Sequence, residues 1–216
     1  MSLTLVSFNI CPYVLRVIAA LNHLKIPYEI KYIDLQNKPD WFVKASPLEK
    51  VPILFVDETV LFKSLVILDY INTLSVQSLL PNDNLQRALN RARAEFSGEI
   101  IGTFWNVFSA KTEDSFKNNL ADLKWYFEKL EGWLQQSKFI FSNELTLADF
   151  AYAPIFTLLS ALKPQLKFNL FEGFPRLQEY NENILSLPGV QQSKVENYDQ
   201  LIQERFAKGA PFFLTL

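Results

Sequence analysis

Leu3-Thr4-Leu5-Val6-Ser7-Phe8-Asn9-Ile10-Cys11-Pro12-Tyr13-Val14-Leu15-Arg16 is the stretch on which the fold of this 216-residue chain turns. Leu3–Ser7 reads as a strand. Leu15, Val17, Ile18, Ala20 and Leu21 form a broad apolar face that makes Pro12–Leu24 a helix. Proline suits the first helical position, because its missing N–H would have no intrahelical partner there and its φ is already helical. Cys11 is then the N-cap. A thiol so placed faces unpaired backbone N–H groups and the positive end of the helix dipole, which favour the thiolate. Free cysteine ionises near ~8.5, and helix N-termini in redox folds lower that to roughly 3.5–7.5. The plain alternative is a buried cysteine packing as a small hydrophobe. Cys11 is the only cysteine, so it has no internal disulfide partner. Val14 stands where a C-x-x-C motif has its second thiol, so redox chemistry at Cys11 needs an external one.

Outward from this stretch the alternation continues. Pro27 ends the first helix, since it biases its predecessor away from helical angles. Tyr28–Ile33 alternates as a strand, Asp40–Ala45 is a short helix stopped by Pro47, and Ile53–Val56 is an apolar strand. Asp57-Glu58 turns the chain, Val60–Phe62 returns as the hairpin partner, and Ser64–Leu74 is a helix with Ser64 as its N-cap. The order is βαβαββα. Its first two strands are parallel through a right-handed crossover, and its last two are an antiparallel hairpin.

The composition changes at the polar segment Ser75–Asn84, and beyond Leu85 no strand pattern follows. Arg87–Ala110, Glu113–Gln136, Thr146–Leu162 and Pro175–Leu187 read as helices. The third is almost wholly apolar and hence central. Val190–Ala207 adds one or two short helices, and the apolar end Ala210–Leu214 packs back on the body. The expected organisation is a small α/β domain over 1–75, a linker over 76–84 and an all-helical domain over 85–216.

With 21 basic and 23 acidic residues the net charge is −2, which gives no reason to expect nucleic acid or an anionic membrane as partner. One cysteine fits a reducing compartment. The N-terminus lacks a signal peptide's basic and apolar regions, and no apolar run approaches the roughly 20 residues of a membrane span. The expectation is a soluble cytoplasmic protein. One histidine, His23, and one cysteine support neither a zinc site nor a Cys-His pair. His23 falls near the end of the first helix, where complementing the dipole at the surface is its simplest role.

Several further motifs bear on chemistry. Val51-Pro52 precedes a strand, where a proline is permitted. A cis bond there would turn the Val51 backbone outward toward an extended, peptide-like ligand, although only about 5–6% of X–Pro bonds are cis. Lys63-Ser64 opens a helix, so the Ser64 hydroxyl and the first N–H groups offer either an ordinary cap or a carboxylate site. Thr146-Leu147-Ala148-Asp149 is a capping box with Asp for Glu and reads as structural. Arg16 either raises the potential near Cys11 or sits in a surface ion pair. Phe104, Trp105 and Phe108, at helical spacing, are either core or the wall of an apolar pocket.

In their order these motifs resemble the glutathione transferase superfamily over nearly the whole chain. The resemblance rests on Cys11-Pro12-Tyr13, on Ser46-Pro47-Leu48-Glu49-Lys50-Val51-Pro52, on Ser64, on Thr146–Asp149, on Phe174-Pro175-Arg176-Leu177 and on Leu187-Pro188-Gly189-Val190. It implies a thioredoxin-like N-terminal domain that binds glutathione, a helical C-terminal domain that walls the second substrate, and a homodimer. The Cys-Pro-Tyr start is most similar to the cysteine-type, omega-like and dehydroascorbate-reductase-like members. On that resemblance Cys11 is the catalytic thiol, the Val51 backbone holds the cysteinyl part of glutathione, Pro52 is cis, and Ser64 takes the γ-glutamyl carboxylate. Lys50, beside Val51, is either within reach of the glycyl carboxylate or an ordinary solvated lysine, and Tyr13 and Lys63 are the remaining candidate ligand residues. The second substrate is a small hydrophobic molecule or a disulfide, and no metal is implied. One position departs from the family. Lys63 stands where Glu or Gln usually meets the α-amino group of glutathione, and a cation there repels that ammonium. Losing a charge-assisted hydrogen bond of roughly 1.5–3 kcal/mol lowers affinity by about one to two decades before repulsion is added. The leading expectation is therefore a glutathione-dependent thiol transferase or reductase. The alternatives are a non-catalytic, starvation-protein-like regulatory module on the same fold and a conjugating transferase.

Overall fold

The computed structural model describes every residue from Met1 to Leu216. Strands β1 (Leu3–Ser7), β2 (Glu29–Tyr32), β3 (Ile53–Val56) and β4 (Thr59–Phe62) form one sheet in the order β2-β1-β3-β4. β1 and β2 are parallel with Leu5 opposite Ile30, whereas β1 with β3 and β3 with β4 are antiparallel. Helices α1 (Pro12–His23), α2 (Asp40–Ala45) and α3 (Ser64–Thr73) complete the expected βαβαββα order.

The two-residue period of the strands sorts their side chains onto two faces. Leu3, Leu5 and Leu54 join the main core with α1 and α3. Val6 and Ile53 point the other way and close on Phe42 of α2 and Ile33. Both central strands are thereby covered, which fixes the register and holds the β1–α1 turn in place.

The second half is all-helical: α4 (Asn84–Ser109), α5 (Glu113–Leu134), α6 (Leu147–Leu162), α7 (Pro175–Leu185), α8 (Pro188–Gln191) and α9 (Tyr198–Ala207). Every residue of α6 except Ser160 is buried, as its apolar composition requires. The capping box is more than a local cap. The Asp149 carboxylate accepts from the Thr146 N–H and hydroxyl, from the Ile140 N–H and from the Tyr180 hydroxyl, so it ties α6 to the preceding loop and to α7. The core cluster of 52 buried residues runs without a break from Leu3 to Phe213, so the two halves share one interior.

α8 lies directly on α1. A Cβ at Gly189 would stand 2.6 Å from the Ala19 carbonyl oxygen and 2.9 Å from the His23 nitrogen. Only glycine permits that approach, which explains Leu187-Pro188-Gly189-Val190. His23 is not the surface residue expected. It is half-buried with its ring 5.1 Å from that of Phe150, and burial lowers its pKa. Of the aromatic stripe, Phe104 and Phe108 are core, and Trp105 stacks on Phe206 at 4.5 Å. The C-terminal end packs back as expected, with Phe213 buried and the Phe212 N–H donating to the Ala110 carbonyl at 2.7 Å. No helix is long and apolar enough to cross a membrane.

Candidate functional site

Cys11 caps α1 in an extended conformation, and Pro12 is the first helical residue. The position is the expected one, but its effect on ionisation is not. Cys11 is half-buried as a residue, yet burial of its thiol pushes the pKa up to about 11. The Val14 and Tyr13 N–H groups and the Arg16 charge pull the other way and lose. Desolvation penalises the charged form more than a helix terminus and one cation favour it.

Of the two readings of Arg16, the structure removes the surface ion pair and keeps the charge that acts on Cys11. Arg16 is 1% exposed, and its Nε and Nη2 have no partner. Its guanidinium lies 5.1 Å from the centroid of the Tyr13 ring. Burial pulls its pKa down to about 10, while Tyr13, Cys11, Glu95 and Tyr152 oppose that shift. A buried cation without an ion-pair partner is costly in a fold and occurs where a site needs one.

The loop before β3 is built to present Val51. The Lys50 N–H donates to the Ser46 hydroxyl at 3.0 Å, and that hydroxyl donates back to the Lys50 carbonyl at 3.1 Å. Ser46 is buried, so this clasp is shielded from water. Glu49 takes a positive φ of 50°, and the Val51–Pro52 bond is cis, as the resemblance implies. The Val51 N–H and C=O enter none of the turn and loop hydrogen bonds, so both are open to a ligand.

At α3 the expected cap is displaced by one residue. Lys63 is the N-cap, with φ 69° and ψ 112°, and Ser64 is the first residue of the helix. A lysine in that left-handed region is strained by roughly 1–3 kcal/mol, and its charge sits at the positive end of the α3 dipole. The Ser64 hydroxyl is not engaged in capping and stands beside the first free N–H groups of α3, an arrangement suited to a carboxylate.

These elements enclose a cleft of about 540 Å³. Tyr13, Lys50, Val51, Pro52, Lys63 and Ser64 all line it, joined by Arg16, Ser46 and, from α4, Glu95. The volume is that of a small-ligand site. Cys11 is the exception. It lines a narrow neighbouring pocket with Tyr32 and with Ser193 and Tyr198 from the second half. Ser46 was legible only as the start of the Ser46–Pro52 motif, whereas Glu95, Tyr32 and Tyr198 carried no signal in the sequence, because each reaches the site through tertiary structure.

Residues 10–74 match the family profile described as glutathione S-transferase, N-terminal domain, and residues 85–188 match glutathione S-transferase, C-terminal domain. The chain belongs to the glutathione S-transferase family. It is 31% identical over 190 residues to a probable glutathione S-transferase of Glycine max, covering 83% of this chain and 82% of that one. It is 27% identical over 195 residues to the chloroplastic glutathione S-transferase DHAR3 of Arabidopsis thaliana, covering 88% of this chain and 70% of the relative. The fold superposes on glutathione transferase Omega 3C from Trametes versicolor with a TM-score of 0.84 and 20% identity, over 97% and 92% of the two chains. The expectations of a glutathione transferase enzyme, of the cysteine-type branch and of a thioredoxin-like domain followed by a helical one are borne out.

Proposed function

We propose that this glutathione transferase uses Cys11 in a monothiol exchange with glutathione held in the cleft beside it. The observation that carries the proposal is the single cleft formed by Tyr13, Lys50, Val51, Lys63 and Ser64 next to the N-cap of α1. In this reading the Val51 N–H and C=O pair with the cysteinyl backbone of glutathione. The Ser64 hydroxyl and the α3 terminus take the γ-glutamyl carboxylate, and Lys50 faces the glycyl carboxylate. Arg16 adds buried positive charge for an anionic ligand.

The reaction runs through sulfur alone. The Cys11 thiolate attacks the glutathionyl sulfur of a mixed disulfide, forming a Cys11–glutathione disulfide and releasing the substrate thiolate, which takes up a proton. The thiolate of a second glutathione then attacks the glutathionyl sulfur of that disulfide. Oxidised glutathione leaves and the Cys11 thiolate returns. Val14 excludes resolution from within the helix, so the second thiol must come from solution. The test is glutathione-dependent reduction of a small mixed disulfide by the parent and by Cys11→Ser. Turnover in the parent alone supports the proposal, and equal rates end it.

We infer further that the protein is cytoplasmic and a homodimer, with its domains divided in the segment 76–84. A lone cysteine suits a reducing compartment. Phe62 on β4, Val66 on α3, and Leu85 and Leu89 on α4 are exposed apolar residues that a second copy would cover. Sedimentation equilibrium checks the dimer.

A further inference from the structure

The pocket at Cys11 is small. Its volume is about 10 Å³, room for about one water molecule, and it shares no lining residue with the cleft. Several of its polar groups are already satisfied or wet. The Ser7 hydroxyl donates to the Phe8 carbonyl, the Ser193 hydroxyl donates to the Val190 carbonyl, and Tyr32 and Asn9 are exposed to solvent. Tyr198 is different. It opens α9, is 2% exposed, and its hydroxyl is shut off from solvent with no hydrogen-bond partner. Buried polar groups in folded proteins are nearly always paired, so an orphan of this kind calls for an acceptor. The sulfur of Cys11 lies on the same pocket wall; only the Tyr13 and Val14 N–H groups favour its anion, and as the thiol it takes no bond from Tyr198.

We propose that the Tyr198 phenol is the hydrogen-bond donor to the Cys11 thiolate, so that α9 of the helical half completes the nucleophile begun by α1. The proposal deepens the reading of Cys11 as the reacting thiol and rests on it. Two features fit this role. Burial, with Asp199 and Cys11 adding to it, holds the phenol protonated well above its ordinary range, so it remains a donor wherever Cys11 titrates. Burial holds the thiol pKa near 11 even against the Tyr13 and Val14 N–H groups and the Arg16 charge, so a sulfur anion there needs a further donor. The other charged or titratable groups around the pair are Tyr13 and Arg16 on α1, Tyr32 on β2, Asp199 on α9, Lys194 paired with Asp199 at 3.2 Å and, facing Tyr13, Glu99 on α4. Lys194 is engaged by Asp199, and Arg16 acts on Cys11 without lining this pocket.

Alkylation of the intact protein by iodoacetamide, followed by mass spectrometry from pH 7 to 10, tests this without glutathione. Failure here is thus separable from failure of the proposed exchange. The rate rises with the thiolate fraction across that range. In Tyr198→Phe it falls about tenfold at each pH, the loss of one hydrogen bond to a charged group. Tyr32→Phe matches the parent. Phenylalanine removes an oxygen and opens the pocket, so a merely steric Tyr198 gives an unchanged or faster rate, and either result overturns the proposal. Fluorotyrosine at 198 keeps the ring and makes the O–H more acidic. It speeds alkylation if the hydrogen bond exists, and an unchanged rate counts against it even if Tyr198→Phe fails to fold.

Discussion

Asp149 and Arg16 are both fully buried and both charged, yet their surroundings are opposite. The Asp149 carboxylate accepts four hydrogen bonds of 2.7–2.9 Å, two of them from backbone N–H groups. Arg16 has two nitrogens without any partner and no carboxylate within ion-pair reach. Desolvation opposes both charges, raising the Asp149 pKa and lowering that of Arg16. In the helical half the offset comes from the protein itself, and the buried charge fixes where α6, α7 and the loop at Ile140 meet. In the α/β half the charge is left unmatched beside a cleft and a thiol. The first arrangement makes structure, and the second leaves an unmatched charge of the kind that the proposed anionic ligand would meet.

The largest effect belongs to the satisfied charge. Asp149→Ala strands the Ile140 and Thr146 N–H groups and the Tyr180 hydroxyl, and urea unfolding should show a loss of about 3–5 kcal/mol. A loss below ~1 kcal/mol would erase the contrast with Arg16. Next is Lys63→Glu, which replaces repulsion of the glutathione ammonium with attraction. Calorimetry should find binding tighter by about one to two decades, with stability little changed. Unchanged affinity would place the ammonium elsewhere.

Arg16→Met removes an unmatched buried charge while keeping most of its volume. Replacement of buried ions by apolar residues is often neutral or stabilising by roughly 1–4 kcal/mol, so the thermal midpoint should hold or rise while glutathione binding weakens. A fall of several kcal/mol would mean that Arg16 is structural like Asp149. The smallest change is Ser64→Ala. Its hydroxyl caps nothing, so unfolding should shift by no more than about 0.5 kcal/mol, and glutathione affinity should fall about tenfold. Loss of stability without loss of affinity would return Ser64 to an ordinary cap.

The fold was legible in the sequence wherever one local rule acted alone. Period-two strands, Pro12 after Cys11, and the apolar run of α6 each admit one reading, and the structure agrees. The cleft was legible as well, because Val51-Pro52 and Lys63-Ser64 lie at element boundaries that the pattern marks. Quantities that depend on burial were not. The sequence places a helix terminus at Cys11 but not the depth of its pocket, so the thiol pKa came out with the wrong sign. The same gap hid Arg16, whose place on the helix face suits either surface or interior. Lys63 took the cap position from Ser64 because its backbone adopts a left-handed angle that no propensity foretells. Tyr198 reaches Cys11 only through the docking of the two halves.

In the proposed site glutathione lies along Val51 and Ser64 with its sulfur at Cys11. A crystal structure of the protein soaked with oxidised glutathione tests it most directly. A mixed disulfide at Cys11 is expected, with the tripeptide backbone paired to Val51 and its γ-glutamyl carboxylate at Ser64. A free Cys11 with the tripeptide absent from the cleft, or bound away from Val51 and Ser64, would contradict it.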